Sequence, residues 1–212
     1  MTPEEILAAV AEEVKNCTKC PLHLARRKAV PGEGPANAKI MFIGEAPGFH
    51  ENVQGRPFVG AAGEFLDELL AKAGLKRSEI FITNVVKCRP PGNRDPEPQE
   101  LAACEPYLDR QIRAIRPKII VTLGRFSLAK FVPNPKISQM HGKPIRLRGQ
   151  LIVPMYHPAA ALHQPSLRKI VEADFARLPE IIAQAETIEE TELAPEPQEG
   201  SSKPKPKQLS LF

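Results

Sequence analysis

A mostly parallel β-sheet covered by helices on both faces is the fold class this sequence predicts. Three observations carry that expectation. Four short apolar runs, at 39–43, 80–86, 119–123 and 151–153, read as buried strands. Stretches of helical periodicity alternate with them, which is the pattern of a parallel sheet rather than of a sandwich or a bundle. The chain has 212 residues, 42% of them apolar, enough for one core of ordinary domain size.

Each element follows from local signals. Thr2 suits a helix N-cap, Pro3 the first helical position, and Glu5 closes a capping box. Ile6, Leu7, Val10 and Val14 then form one apolar stripe. The strand at 39–43 stops at Gly44, and a helix at 62–73 buries Phe65, Leu66, Leu69 and Leu70 before a Gly74-Leu75 stop. After the strand at 80–86 comes a proline-rich loop, and Asp95-Pro96 opens a long helix with Leu101, Cys104, Leu108, Ile112 and Ile115 inward. Pro117 ends it, the strand at 119–123 stops at Gly124, and a closing helix spans 167–185.

Composition narrows the function classes. No run approaches the ~18 apolar residues that a membrane helix needs. The N-terminus has no basic stretch followed by an apolar segment, so the expected address is the cytoplasm. The net charge of +4 conceals an asymmetry: from Glu186 onward stand six Glu and three Lys, leaving 26 basic and 19 acidic residues before it, a net of +7. A basic body favours a phosphate-bearing partner. Proline, 23 residues, is about twice its usual ~5% share. Four of these lie in 186–207, a Glu-, Pro- and Lys-rich stretch whose composition predicts an unfolded tether. The chain then ends in the apolar peptide Gln208-Leu209-Ser210-Leu211-Phe212. The domain therefore runs 1–185, the tether 186–207 and the peptide 208–212.

In an open parallel sheet, ligands sit beyond the carboxyl ends of the strands. Four polar or glycine-rich segments fall there: 44–51, Asn84, Gly124-Arg125 and Tyr156-His157-Pro158. Singly each has a structural explanation, such as a turn, a bracket for a loop or a core aromatic. Together, Phe58 in a rigid turn, the amide of Asn84, the imidazole of His157 and the acids Glu45 and Glu51 suit a planar, polar, uncharged ring. Arg56, Lys87, Arg89, Arg94, Arg125 and Lys143 are expected around the mouth, so a nucleobase on a phosphate backbone fits both features.

Cys17 and Cys20 form a C-x2-C pair at a helix end; Cys88 lies in a loop and Cys104 on an apolar helix face. Four thiolates hold either tetrahedral zinc or an iron–sulfur cluster, and spacing alone does not choose between them. In both cases the site is structural, tying the N-terminal helix to the sheet.

The segments GEAPGFHE at 44–51, PFVG at 57–60, TNVVKCRPPGNRDP at 83–96 and YHPAA at 156–160, with four cysteines in this order, resemble family 4 uracil-DNA glycosylases. The resemblance covers roughly residues 5–182. It implies a three-layer α/β/α fold with a central four-stranded parallel sheet, and a [4Fe–4S] cluster on Cys17, Cys20, Cys88 and Cys104. It also implies excision of uracil from single- and double-stranded DNA by a monomer. Phe58 would stack on the flipped base, with Ala46 also against it. Asn84 would pair with O4 and N3–H, Glu51 would crowd out a methyl group at C5, and His157 would bind O2. Glu45 is the acid chosen to position water. Leu162 suits a wedge filling the gap left by the base. The terminal peptide looks like a bacterial sliding-clamp-binding pentapeptide. The alternative is a metal-stapled nucleic-acid-binding or damage-sensing module without catalysis.

Overall fold

A computed structural model describes residues 1–147 and 149–184; the tether at 186–207 and the peptide at 208–212 lie outside them. The strands are β1 (Ile40–Gly44), β2 (Phe81–Asn84), β3 (Ile119–Leu123), β4 (Ile145–Leu147) and β5 (Gln150–Met155). They form one sheet in the order β2-β1-β3-β5-β4. The four expected strands are mutually parallel, but the sheet has five strands rather than four, because β4 adds antiparallel to the edge of β5. Only three residues long and interrupted by Arg146, β4 carries no apolar run that a sequence reading would detect. It caps an edge that would otherwise expose unpaired backbone groups.

The helices are α1 (Pro3–Lys15), α2 (Phe49–Gln54), α3 (Ala61–Lys72), α4 (Pro98–Ile115), α5 (Arg125–Ala129), α6 (Ile137–Met140), α7 (Pro158–His163), α8 (Arg168–Ala176) and α9 (Leu178–Gln184). The capping box forms as expected: the Thr2 hydroxyl accepts from the Glu5 N–H at 3.2 Å, and the Thr2 N–H donates to the Glu5 carboxylate at 2.8 Å. After α3, Gly74 is left-handed, and the N–H groups of Leu75 and Gly74 return to the carbonyls of Leu70 and Ala71, completing a Schellman stop. The closing helix is broken into α8 and α9. Pro179 has no N–H to offer the carbonyl four residues back, and it stands in the first turn of α9, where that loss is tolerated. Among the described residues no helix is long and apolar enough to cross a membrane.

Alternation along the strands sends side chains into two cores. Phe42, Ile82, Val121 and Val153 meet α3 and α8 through Leu66, Leu69, Val171 and Phe175 on one face. Met41, Ile43, Phe81, Ile120 and Ile152 meet α1 and α4 through Val10, Val14, Tyr107 and Leu108 on the other. The sheet is thus the middle of three layers. Strand order reverses between β1 and β3, which opens a crevice at their carboxyl ends.

Candidate active site

A pocket of about 330 Å³ lies at that crevice, and its walls include Glu45, Ala46, Glu51, Phe58, Asn84 and His157. Six positions scattered over 113 residues of chain, all expected from the sequence, therefore share one cavity. Gly124 packs against His157: a Cβ there would stand 3.3 Å from that of His157.

Phe58 is buried and holds a left-handed backbone, φ +50°, a conformation that costs a non-glycine residue about 1–2 kcal/mol. Its ring stacks on the imidazole of His157, centroids 5.5 Å apart and planes 25° from parallel. Gly44, level with Asn84 in the β1–β2 register, lets Phe58 and Asn84 approach the strand end. A Cβ at Gly44 would lie 2.4 Å from Asn84 Oδ1 and 2.7 Å from Phe58 Cζ. Glu51 lines the pocket, yet its Oε1 accepts from the backbone N–H groups of Val59 at 2.9 Å and Gly60 at 3.0 Å. The carboxylate holds the turn that carries Phe58.

Asn84 is buried, and its Oδ1 has no hydrogen-bond partner. An orphan amide oxygen of this kind costs free energy unless a ligand supplies the proton. Its backbone is fixed by Lys87, whose Nζ donates to the Asn84 carbonyl at 2.8 Å, to Thr83 Oγ1 and to Gln111 Oε1. Here the sequence expectation is corrected: Lys87 is not a rim cation but one of the most deeply buried side chains, pushed down to about 7 by burial. The local sequence around it gave no sign that Gln111, 24 positions on, supplies its partner.

The other expected rim cations are mostly paired. Arg56 is held by Glu33, Arg125 by Asp95, and Arg94 makes a bidentate pair with the wholly buried Glu100 at 2.6 and 2.9 Å. Arg94 still forms part of the pocket wall. Arg89 donates to Asn93 Oδ1 and lies 5.5 Å above the exposed ring of Phe49, and Lys143 donates to the Gln139 carbonyl.

His157 caps α7, and its Nδ1 accepts from the Ala159 N–H at 3.1 Å. That bond assigns the tautomer, leaving Nε2 to carry the proton. Burial pushes the imidazole down to about 4, against the nearby charge of Glu51, so the ring is a neutral donor at physiological pH. Glu45 moves the other way. Burial raises its carboxyl to about 7, Asp95 adds to the rise, and Arg125 opposes it.

The four cysteines line a second, smaller cavity between α1, α4 and the loop after β2. All are free thiols. Burial pushes the thiols of Cys20, Cys88 and Cys104 up, Cys104 to about 11, so four thiolates cannot share this space without cationic compensation. Hydrogen bonds already point at the sulfurs: Arg26 Nη1 donates to Cys88 at 3.4 Å, and the Lys87 backbone donates to Cys104. Among the described residues no set of His, Cys, Asp and Glu is gathered tightly enough to hold a single metal ion. Four thiols lining one cavity form a donor set of the kind that holds tetrahedral zinc or an iron–sulfur cluster.

A three-layer α/β protein with a base-sized polar pocket at the switch point, beside a four-cysteine cavity, is the class that fold and site define. A family model for the uracil DNA glycosylase superfamily matches residues 31–178. Relatives narrow the class. A type-4 uracil-DNA glycosylase of Sulfurisphaera tokodaii is 51% identical over 187 residues, covering 82% of this chain and 84% of that one. Those of Thermotoga maritima and Archaeoglobus fulgidus are 48% and 46% identical, each covering 94% of the relative and 83% and 84% of this chain. The chain belongs to the type-4 uracil-DNA glycosylases.

Proposed function

We propose that this protein flips uracil out of single- or double-stranded DNA and hydrolyses its N-glycosidic bond, leaving an abasic site in an uncut strand. The observation that carries the reading is the pairing of two committed polar groups in one pocket. Asn84 offers an unpartnered Oδ1 and an amide N–H, and His157 offers an Nε2–H whose tautomer is fixed from behind.

Uracil presents N3–H as a donor and O4 as an acceptor, so the Asn84 amide satisfies both edges. Cytosine presents the reverse and leaves buried groups mispaired, a penalty that supports discrimination of ~10⁴-fold or more. Phe58 supplies the face on which the ring lies, with Ala46 in the same wall. As the C1′–N1 bond breaks, its electron pair leaves with the base. Negative charge gathers on O2, where the His157 N–H stands, and positive charge gathers on the sugar. Water attacks C1′ and yields its proton to the carboxylate of Glu45. Among the described residues lining the pocket there is no lysine to form an imine with the sugar, which supports hydrolysis without strand cleavage. Glu51 shapes the C5 side of the pocket through the turn it holds.

Cys17, Cys20, Cys88 and Cys104 hold a [4Fe–4S] cluster. When bound it supplies positive charge and a rigid cross-link between α1, α4 and the loop following Asn84, and no step of the reaction runs through it. Leu162, 41% exposed next to the pocket residue His163, acts as the wedge. The peptide at 208–212, outside the described residues, docks on a sliding clamp and raises the local concentration of a monomeric enzyme on nucleoid DNA in the cytoplasm. Removing 209–212 should abolish clamp pull-down while sparing excision.

The deciding experiment is uracil release from a labelled oligonucleotide, with a cytosine control and alkali to reveal abasic sites. Cleavage at uracil alone, and after alkali alone, is expected. Retained DNA binding without release by cluster-loaded protein would instead indicate a binding module.

A further inference from the structure

Arg77 lies between α3 and β2, in a single helical turn, Arg77–Glu79, with no place in the pocket wall. Its guanidinium nevertheless reaches the turn that carries Phe58. Nη2 donates to the Pro57 carbonyl at 2.6 Å and Nη1 to the Phe58 carbonyl at 3.1 Å. The same two nitrogens are held in place by Glu33 Oε1 at 3.0 Å and Asp67 Oδ1 at 2.9 Å. Glu33 is itself anchored, since its backbone pairs in both directions with Ile82 of β2 and its carboxylate takes two further bonds from Arg56. A planar fork with fixed donors thus grips two successive carbonyls from a rigid base.

The grip falls where the backbone needs it. Phe58, like Asn93 across the pocket wall, is a left-handed non-glycine residue, and such a conformation persists only when its surroundings over-determine it. From the other side, Glu51 takes the N–H groups of Val59 and Gly60. Below it, Gly63 packs so closely that a Cβ would stand 2.1 Å from the Phe58 oxygen. The turn from Pro57 to Gly60 is therefore held at the Pro57 and Phe58 carbonyls by a cation and at the Val59 and Gly60 N–H groups by an anion.

We propose that Arg77 is a positioning residue for base recognition: by holding the Pro57 and Phe58 carbonyls it keeps the Phe58 ring stacked on His157 and presented to the flipped base. The inference rests on the reading of this cavity as a uracil pocket. It differs from a general stabilising role for the Arg77–Glu33–Asp67 ion pairs, because only the two carbonyl bonds lead to the pocket.

The test uses the full-length, cluster-loaded protein, with three readouts: single-turnover excision, inhibition by free uracil, and affinity for uracil-free duplex. Arg77→Ala should lower the excision rate and weaken free-uracil inhibition at least tenfold each, with duplex affinity unchanged. Methylguanidinium added to the buffer should restore part of both losses. Asp67→Asn, which removes an ion-pair partner and leaves both carbonyl bonds, should stay within twofold of wild type. Arg77→Lys keeps a charge opposite Glu33 and Asp67 but has no fork, and should fold while showing the same two losses; it serves if the alanine variant does not fold. Wild-type uracil inhibition in a folded Arg77→Ala or Arg77→Lys variant overturns the inference, as does a loss in Asp67→Asn equal to that in Arg77→Ala. Failure of the pocket reading itself would show differently, as wild-type protein that releases no uracil.

Discussion

Ionisation of Glu45 should govern the pH dependence of excision near neutrality. Its carboxyl titrates at about 7 because burial disfavours the charge, with Asp95 reinforcing the effect and Arg125 opposing it. If the carboxylate alone receives the water proton and offsets charge at C1′, the rate tracks its ionised fraction. That fraction is about 9% at pH 6, about 50% at pH 7 and about 91% at pH 8, so the single-turnover rate rises about tenfold across the range. His157, pushed down to about 4, stays neutral throughout and adds no inflection there. The neighbours provide opposite signs. Asp95→Asn removes a like charge and frees Arg125 from its ion pair, moving the midpoint to lower pH; Arg125→Gln moves it to higher pH. Glu45→Gln should give a low, flat profile. The assay is excision from a labelled uracil oligonucleotide with enzyme in excess, between pH 5.5 and 8.5. A wild-type profile flat between pH 6 and pH 8, or an unchanged inflection in Glu45→Gln, would refute the reasoning. Stability offers a companion check. A raised carboxyl leaves the fold unpenalised below its unfolded value of 4.5 and penalised increasingly up to about 7. Glu45→Gln should therefore raise Tm more at pH 8.5 than at pH 5.5.

Other perturbations read separate parts of the site. Gly44→Ala drives a Cβ into Asn84 and Phe58 and should reduce excision more than about 100-fold with the fold retained, as seen by circular dichroism. His157→Ala removes the donor to O2 and should lower the single-turnover rate by about 10²–10³-fold without changing cluster absorbance. Cys104→Ser should abolish visible absorbance and lower Tm by at least about 5 °C, because the cavity between α1 and α4 loses its cross-link; a brown variant with unchanged Tm would contradict the assigned ligand set.

What the sequence disclosed follows a physical pattern. Strands β1, β2, β3 and β5 are continuous apolar runs because both of their faces are covered, so they were visible without a partner. Asn84 and His157 stood out because polar groups at the ends of such strands are costly unless used. The four cysteines, counted from the sequence, do line one cavity. By contrast, β4 is stabilised by the ladder it makes with β5, which its own three residues do not encode. Lys87 was misplaced on the rim because its burial depends on Thr83, the Asn84 carbonyl and Gln111 meeting in space. Arg77 was invisible for a further reason: two of its partners are backbone oxygens about twenty residues earlier, and backbone oxygens leave no mark in a sequence. The strain at Phe58, which gives those bonds their purpose, is likewise a property of the folded turn.

The electrostatic order of the pocket also explains why the two titratable groups are separated so widely. In water an imidazole protonates at higher pH than a carboxyl; here burial inverts the order, with His157 at about 4 and Glu45 at about 7. A cationic His157 would bind phosphate or any anion nearby, and it would surrender the Nδ1 acceptor that orients its ring on Ala159. On the proposed mechanism, a neutral donor with a fixed tautomer would respond mainly to charge that develops on O2 as the bond breaks, so its contribution would be larger in the transition state than in the bound substrate. Glu45, poised near neutrality, combines a substantial ionised fraction with enough basicity to take a proton from water. Groups whose surroundings push their pKa values apart divide the roles of donor and base between them. In this pocket the proposed division would rest on the α7 cap behind His157 and on the burial and the Asp95–Arg125 pair around Glu45.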